Sequence, residues 1–218
     1  MSAPTVHLHG VSHRTSPRFS LDVPSLTIGP GVTAVLGLNG CGKTTLLRMI
    51  ATVLTPGAGE LLVGGRSVTD ASLTAVRRGL GYLPQDDSVP RRLTVFDHVD
   101  LVAVMRELRH DPRQRRALVH RALAEVHLEE LATERCGRLS GGQRRRVALA
   151  AALVGDADLL VLDEPDAHLD HEQLAHLAAS LRRRAATATI VVATHDETWA
   201  AGVADRAVRL AGGRLAAG

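Results

Sequence analysis

The chain has 218 residues, 45% of them apolar and 2% aromatic, and 26 basic residues against 23 acidic ones give a net charge of +3. Such a length and apolar content fit one globular domain with a modest insertion and exclude a disordered chain. The even charge balance and the scarcity of aromatic platforms argue against a nucleic-acid partner.

Short alternating pieces come first, at 5–9, 19–23 and 26–28, and read as strands closed by the turn Gly29-Pro30-Gly31. An apolar strand follows at 32–36, then a glycine loop, then a helix over 43–54 stopped by Pro56-Gly57. A strand returns at 60–63. Residues 89–138 are helix-rich, with helices expected at 95–108 and 113–126 on either side of Asp111-Pro112. Another helix starts near Gly141 and runs to Leu153. A strand at 159–162, a helix at 171–184, a strand at 189–193, a short helix and a hairpin around Gly212-Gly213 complete the chain. Apolar strands alternating with helices predict an α/β fold whose mostly parallel sheet is covered on both faces.

No apolar run approaches the roughly 18 residues of a membrane span. The first residues lack the basic-then-apolar pattern of a secretory signal, and Cys41 and Cys136 make no disulfide framework. A soluble, cytoplasmic protein is expected. The arginines at 113–116 and 182–184 read as solvated helix faces. The histidines at 7, 9, 168, 171 and 176 read as surface residues rather than a metal site.

Gly37-Leu38-Asn39-Gly40-Cys41-Gly42-Lys43-Thr44 fits G-x-x-x-x-G-K-[ST] at every fixed position, between an apolar strand and a helix start. Its glycines would expose N–H groups to phosphates, Lys43 would reach the β- and γ-phosphates, and Thr44 would ligate Mg²⁺. A buried strand at 159–162 ends on Asp163-Glu164-Pro165, at the end of a parallel strand where ligands bind. Asp163 is the expected Mg²⁺ partner, and Glu164 is placed to polarise an attacking water. In Leu139-Ser140-Gly141-Gly142-Gln143, Ser140 would cap the next helix, whose N-terminus then favours an anion. Alone, that run is an ordinary glycine turn. Gln85 and His195 are each weak signals by themselves, a loop amide after Pro84 and a histidine after a buried strand.

Together these motifs, in this order, resemble the ATP-binding cassette (ABC) ATPases, specifically the transporter subunits. The resemblance implies a P-loop NTPase core with an N-terminal antiparallel β subdomain and an inserted α-helical subdomain. Residues 1–88 and 139–218 would form the core and 89–138 the helical part. It implies ATP and Mg²⁺ as cofactors. Asn39, Gly40, Cys41, Gly42, Lys43, Thr44 and Thr45 would bind the nucleotide from one subunit. Ser140, Gly141, Gly142, Gln143 and Asp170 would close on it from a second subunit in a head-to-tail dimer. Glu164 would be the catalytic base, His195 the γ-phosphate sensor, and Gln85 a Mg²⁺ ligand linking the nucleotide to the helical part. A separate membrane permease would dock there. Residues Val89, Pro90, Leu93, Val95 and Phe96 read equally as that dock or as core. The sequence after Gln85 leans towards exporters. A soluble cassette serving a non-membrane complex is the alternative, and a nucleic-acid machine is the least favoured reading.

The chain departs from the family pattern in three places. No aromatic residue stands at 11–15 to stack on adenine, which leaves His13, Arg14 or Phe19 for that place. His168 is bulky within the D-loop, Asp166 to Asp170. Cys41 lies inside the phosphate loop, where alkylation is expected to block ATP binding.

Overall fold

The computed structural model describes residues 3–17, 19–68, 73–86 and 89–216. In chain order it places β1 (Val6–Ser16), β2 (Phe19–Ile28), β3 (Gly31–Leu36), α1 (Lys43–Ile50), β4 (Ala58–Val63), β5 (Arg66–Ser67), α2 (Thr74–Arg78) and β6 (Leu80–Leu83). There follow α3 (Val95–Met105), α4 (Pro112–Ala124), α5 (Gly141–Leu153), β7 (Leu159–Asp163), α6 (His171–Ala185), β8 (Thr189–Thr194), α7 (Glu197–Val203), β9 (Arg206–Ala211) and β10 (Arg214–Leu215). Short 3₁₀ turns at Glu129–Leu131 and Cys136–Arg138 lie between α4 and α5.

The strands form one mixed sheet in the order β5-β4-β1-β2-β10-β9-β3-β8-β7-β6. Its β9-β3-β8-β7-β6 half is parallel. The β5-β4-β1-β2 half is antiparallel. Alternation in the central strands divides the core between two faces. Leu160, Leu162, Ile190 and Val192 point to a cluster shared with α3, α4, α5 and α6. Leu159, Val161, Val191 and Ala193 point to a second one, shared with α1 and the inward side chains of β1 and β2. Burial on both faces explains why these strands read as unbroken apolar runs. In β1, Val6 and Leu8 turn inward while His7 and His9 stay outside, so one face of this half is wet.

Local departures from the expected spans have local causes. β1 continues past 9 to Ser16, and β2 runs through Pro24 instead of breaking there. Gly10, at φ 57°, lies where the pairing of β1 with β4 shifts register, between the His9–Glu60 and Ser12–Ala58 pairs. The helix expected over 43–54 ends at Ile50, because Thr52 turns left-handed at φ 58°. α2 and β6 were not anticipated. Gly81 makes β6 look broken, but a β-carbon there would strike the Ala152 carbonyl and lie 2.8 Å from Leu160 Cδ1. Its glycine lets α5 approach the sheet edge. Val89 and Val95, which were possible docking residues, are 7% and 0% exposed and belong to the core beneath α3.

Candidate active site

The parallel register brings the chemistry-bearing residues to one edge of the sheet. Leu36 pairs with Thr194, Asp163 with Ala193, and Leu83 with Leu162. The next residues along each strand are therefore neighbours: the loop at 37–42, His195, Glu164 and Gln85. This is the carboxyl end of the strands, where open parallel sheets bind ligands.

The glycine loop passes from β3 to α1 under tight constraint. Gly37 sits at φ 151°, and a β-carbon there would strike the Leu210 carbonyl and lie 2.7 Å from Cys41 Sγ. A larger residue would push the loop off β9. Lys43 begins α1 with its side chain buried, its Nζ donating to the carbonyls of Gly37 at 2.7 Å and Leu38 at 3.3 Å. The ammonium thus caps the loop from within and has a third donor left. Gly213 N–H donates to the Cys41 carbonyl at 3.0 Å, tying the loop to the C-terminal hairpin.

A cleft of about 410 Å³ opens over this loop, lined by Thr15, Ser16, Phe19, Asn39, Gly40, Gly42, Lys43, Thr44, Thr45, Gln85 and Glu164. The predicted residues of the loop, the amide and the carboxylate thus meet in one place. Phe19 stands in this cleft 3.1 Å from where a Gly42 β-carbon would be, and His13 and Arg14 are not among the lining residues. Of the three candidates to face a base, Phe19 is the one at the cleft.

The Thr44 hydroxyl donates to Gln85 Oε1 at 3.1 Å, which joins two of the three expected Mg²⁺ ligands directly. Asp163 is 1% exposed, and neither of its carboxylate oxygens has a hydrogen-bond partner. Burial pushes its carboxyl above the usual carboxylate range. The facing Thr44 hydroxyl pulls it down, Glu164 pushes it up, and Arg145 and Lys43 pull it down again. An unpartnered buried carboxylate beside a hydroxyl and an amide oxygen is an all-oxygen donor set, which suits a hard divalent cation such as Mg²⁺. No group of three or more His, Cys, Asp or Glu side chains placed to hold a metal ion occurs among the described residues. A bound Mg²⁺ would therefore complete its shell with waters and phosphate oxygens.

Glu164 leaves the strand at φ 49°, a left-handed conformation unusual for a non-glycine residue and frequent at functional sites. Its N–H donates to the Ala193 carbonyl at 2.8 Å, which holds the turn. Its Oε1 lies 3.8 Å from His195 Nδ1. The Thr194 hydroxyl donates to Asp166 Oδ2 at 2.7 Å and accepts from the Asp196 N–H at 3.0 Å. That pair fixes the end of β8 to the segment after Glu164. Burial raises the Asp166 carboxyl, and the Thr194 hydrogen bond opposes the rise.

Other predicted residues lie outside the cleft. Cys41 is 6% exposed and packs into the core, so its thiol is sheltered from the alkylation expected to block binding. Ser140 caps α5 as anticipated: its Oγ accepts from Gln143 N–H at 3.2 Å, and Gln143 Oε1 accepts from Ser140 N–H at 2.9 Å. Gly142 abuts His168, whose Cβ is 3.6 Å from a β-carbon placed on the glycine. Asp170 uses its carboxylate to cap α6, accepting from Gln173 N–H at 2.9 Å. Ser140, Gly141, Gly142, Gln143 and Asp170 do not line the cleft of their own chain. The sequence reading also missed Arg145. It is 4% exposed and donates to the carbonyls of Pro84, Gln85, Asp163 and Glu164.

Comparison with known proteins agrees with this geometry. The family model described as ABC transporter matches residues 21–167. The sulfate/thiosulfate import ATP-binding protein CysA of Bordetella bronchiseptica is 38% identical over 97% of this chain and 60% of its own length. The spermidine/putrescine import ATP-binding protein PotA of Lawsonia intracellularis is 37% identical over 96% of this chain and 57% of its own. The chain therefore spans about 60% of the length of these curated relatives. A dimeric bacterial ABC transporter cassette superposes with a TM-score of 0.87 at 26% identity, over 97% of both chains. A post-hydrolysis dimer of the same cassette, bound to ADP and Pi, gives 0.86 at 26% identity and the same coverage. The nucleotide-binding geometry, the matching model and these relatives agree that the chain belongs to the ABC transporter family as an ATP-binding cassette.

Proposed function

We propose that the chain is the ATP-hydrolysing subunit of an ABC importer, working as a head-to-tail pair against a separate membrane permease. The observation that carries this reading is the meeting of Lys43, Thr44, Gln85 and Glu164 around one cleft, with Asp163 buried beside Thr44.

In this reading the 37–45 loop and Lys43 hold the phosphates. Thr44, Gln85 and Asp163 would hold Mg²⁺, which would supply charge neutralisation for the phosphates. Glu164 orients and deprotonates the attacking water, and His195, 3.8 Å away, senses the γ-phosphate. Phe19 faces the base. Ser140, Gly141, Gly142 and Gln143, with Asp170 beside them, serve the nucleotide of the second subunit. Their absence from their own cleft supports that assignment, because two half-sites on different surfaces of one chain need a second copy to complete each other.

Residues 1–88 and 139–218 act as the core with its β portion, and 89–138 as a helical subdomain that receives the permease. Its docking face is the outer side of α3, where Leu101, Val104 and Met105 are 44%, 47% and 74% exposed. No helix among the described residues is long and apolar enough to cross a membrane. The subunit would sit at the inner face of the membrane through its permease. Import replaces the exporter leaning read from the residues after Gln85: the relatives named above are import ATP-binding proteins. Their cargoes, sulfate or thiosulfate and polyamines, belong to those systems. The soluble-complex alternative gains nothing from these names.

The test is Glu164→Gln. Turnover should fall about 10²- to 10⁴-fold, the usual worth of a general base, while Mg-ATP still binds and holds the subunits together. Full turnover in this variant would remove Glu164 from its role.

A further inference from the structure

The signature turn at 140–143 does not line the cleft of its own chain, yet one side chain ties its helix to that cleft. Arg145 lies on α5 two residues beyond Gln143 and is 4% exposed. Its Nη1 donates to the carbonyls of Pro84 and, at 3.2 Å, Gln85. Its Nη2 donates to the carbonyls of Asp163 and, at 3.0 Å, Glu164. All four carbonyls belong to residues at the ends of β6 and β7. These are neighbouring strands, and they carry the amide and both carboxylates of the hydrolytic site. The flanking arginines do other work. Arg144 donates to the Leu139 carbonyl at 2.6 Å, and Arg146 to the Val126 carbonyl at 3.2 Å.

A guanidinium is rigid, planar and always charged, so its two nitrogens can bridge two strand ends at a fixed spacing. An ammonium presents its donors from one point and cannot reproduce that fork. Because α5 begins at the glycine turn 140–143, Arg145 connects the helix of that turn to the backbone of Gln85 and Glu164.

We infer that Arg145 is a positioning residue that couples the signature half-site of a subunit to its own hydrolytic half-site. The inference rests on the head-to-tail reading above. In such a pair, closing the signature turn on the partner's ATP aligns Gln85 and Glu164 over the subunit's own ATP. The two sites then fire in concert, and ATP turnover is cooperative.

The test uses the full chain with Arg145→Lys and Arg145→Met. Thermal melting checks the fold, and calorimetric titration with Mg-ATP measures affinity. Steady-state turnover against ATP concentration gives kcat, KM and the Hill coefficient. The parent should show a Hill coefficient above 1. In Arg145→Lys the coefficient should fall to 1 and kcat at least tenfold, with affinity and melting temperature close to the parent's. Arg145→Met should show the same split more strongly. An unchanged kcat and Hill coefficient in both variants would overturn the coupling. So would affinity and melting temperature falling in step with kcat in both, since that marks a purely structural role. Sedimentation of Glu164→Gln with Mg-ATP separates the two ideas. A monomer there, with a parent Hill coefficient of 1, defeats the dimer reading and the coupling with it. A dimer there, with Arg145→Lys unaltered, defeats the coupling alone.

Discussion

Asp163 has both carboxylate oxygens inside the protein with no hydrogen-bond partner, and burial raises its pKa. The native state therefore holds that proton more tightly than the unfolded chain does. Stability is greatest where the group is protonated, and it declines as pH rises from the ordinary aspartate range through the raised native value. Once deprotonated, Asp163 leaves the fold with an unpaired buried charge that a cation would satisfy. Asp163→Asn should then raise the melting temperature in the absence of Mg²⁺ and nucleotide, flatten that pH dependence, and lose the extra stabilisation that Mg-ATP gives the parent. A variant that melts lower than the parent without ligand would contradict the assignment. Lys43, Thr44 and Asp163 were legible because their chemistry needs a fixed spacing after an apolar strand. Arg145 was not: it stands between Arg144 and Arg146, and only tertiary packing selects the one that turns inward. The left-handed backbone of Glu164 is likewise invisible in sequence, since it is imposed by the hydrogen bond to the Ala193 carbonyl on β8.

Helix α5 shows how far local signals reach. Its start at Gly141 follows from the Ser140 cap and the reciprocal Gln143 bond, and both could be anticipated. The ends of α3 and α4 drifted by a few residues from expectation, as caps alone fix helix termini only loosely. β6 escaped notice because it is four residues long and contains Gly81, whose reason is the nearness of α5 rather than a turn. Of the apolar run after Gln85, Val89 and Val95 are core, Leu93 and Phe96 are half-buried and Pro90 is exposed, whereas Leu101, Val104 and Met105, on a helix whose inward side is Val95, Val99 and Ala103, remain uncovered. In the proposed reading that exposed apolar surface is where the permease docks. Met105→Glu combined with Leu101→Glu should weaken co-purification with the proposed permease at least tenfold and leave Mg-ATP affinity of the isolated subunit unchanged. Undiminished co-purification would move the dock elsewhere.

At the scale of the whole molecule, the sheet alone explains why the site forms. Parallel strands β3, β8, β7 and β6 end at one edge, so the loop, His195, Glu164 and Gln85 converge there without further instruction. That convergence could be read from the alternation of strands and helices. The mixed topology, in which β10 joins the antiparallel half to the parallel one through Asp22 and Leu210, depends on long-range pairing that no local pattern encodes. The same architecture sets the glycine turn 140–143 apart from its own cleft, and in the proposed pair a second copy bridges that separation. The most direct test is sedimentation of Glu164→Gln and of Glu164→Gln combined with Gly141→Glu, each with saturating Mg-ATP. Gly141 has no left-handed constraint, and nothing but the Arg144 guanidinium lies within 4 Å of an added β-carbon. A carboxylate in the first turn also suits the helix dipole, so the fold should tolerate it. It would, however, place negative charge against the partner's phosphates. Glu164→Gln should sediment as a dimer and the double variant as a monomer of unchanged ATP affinity; an equally stable dimer from both would contradict the head-to-tail pairing.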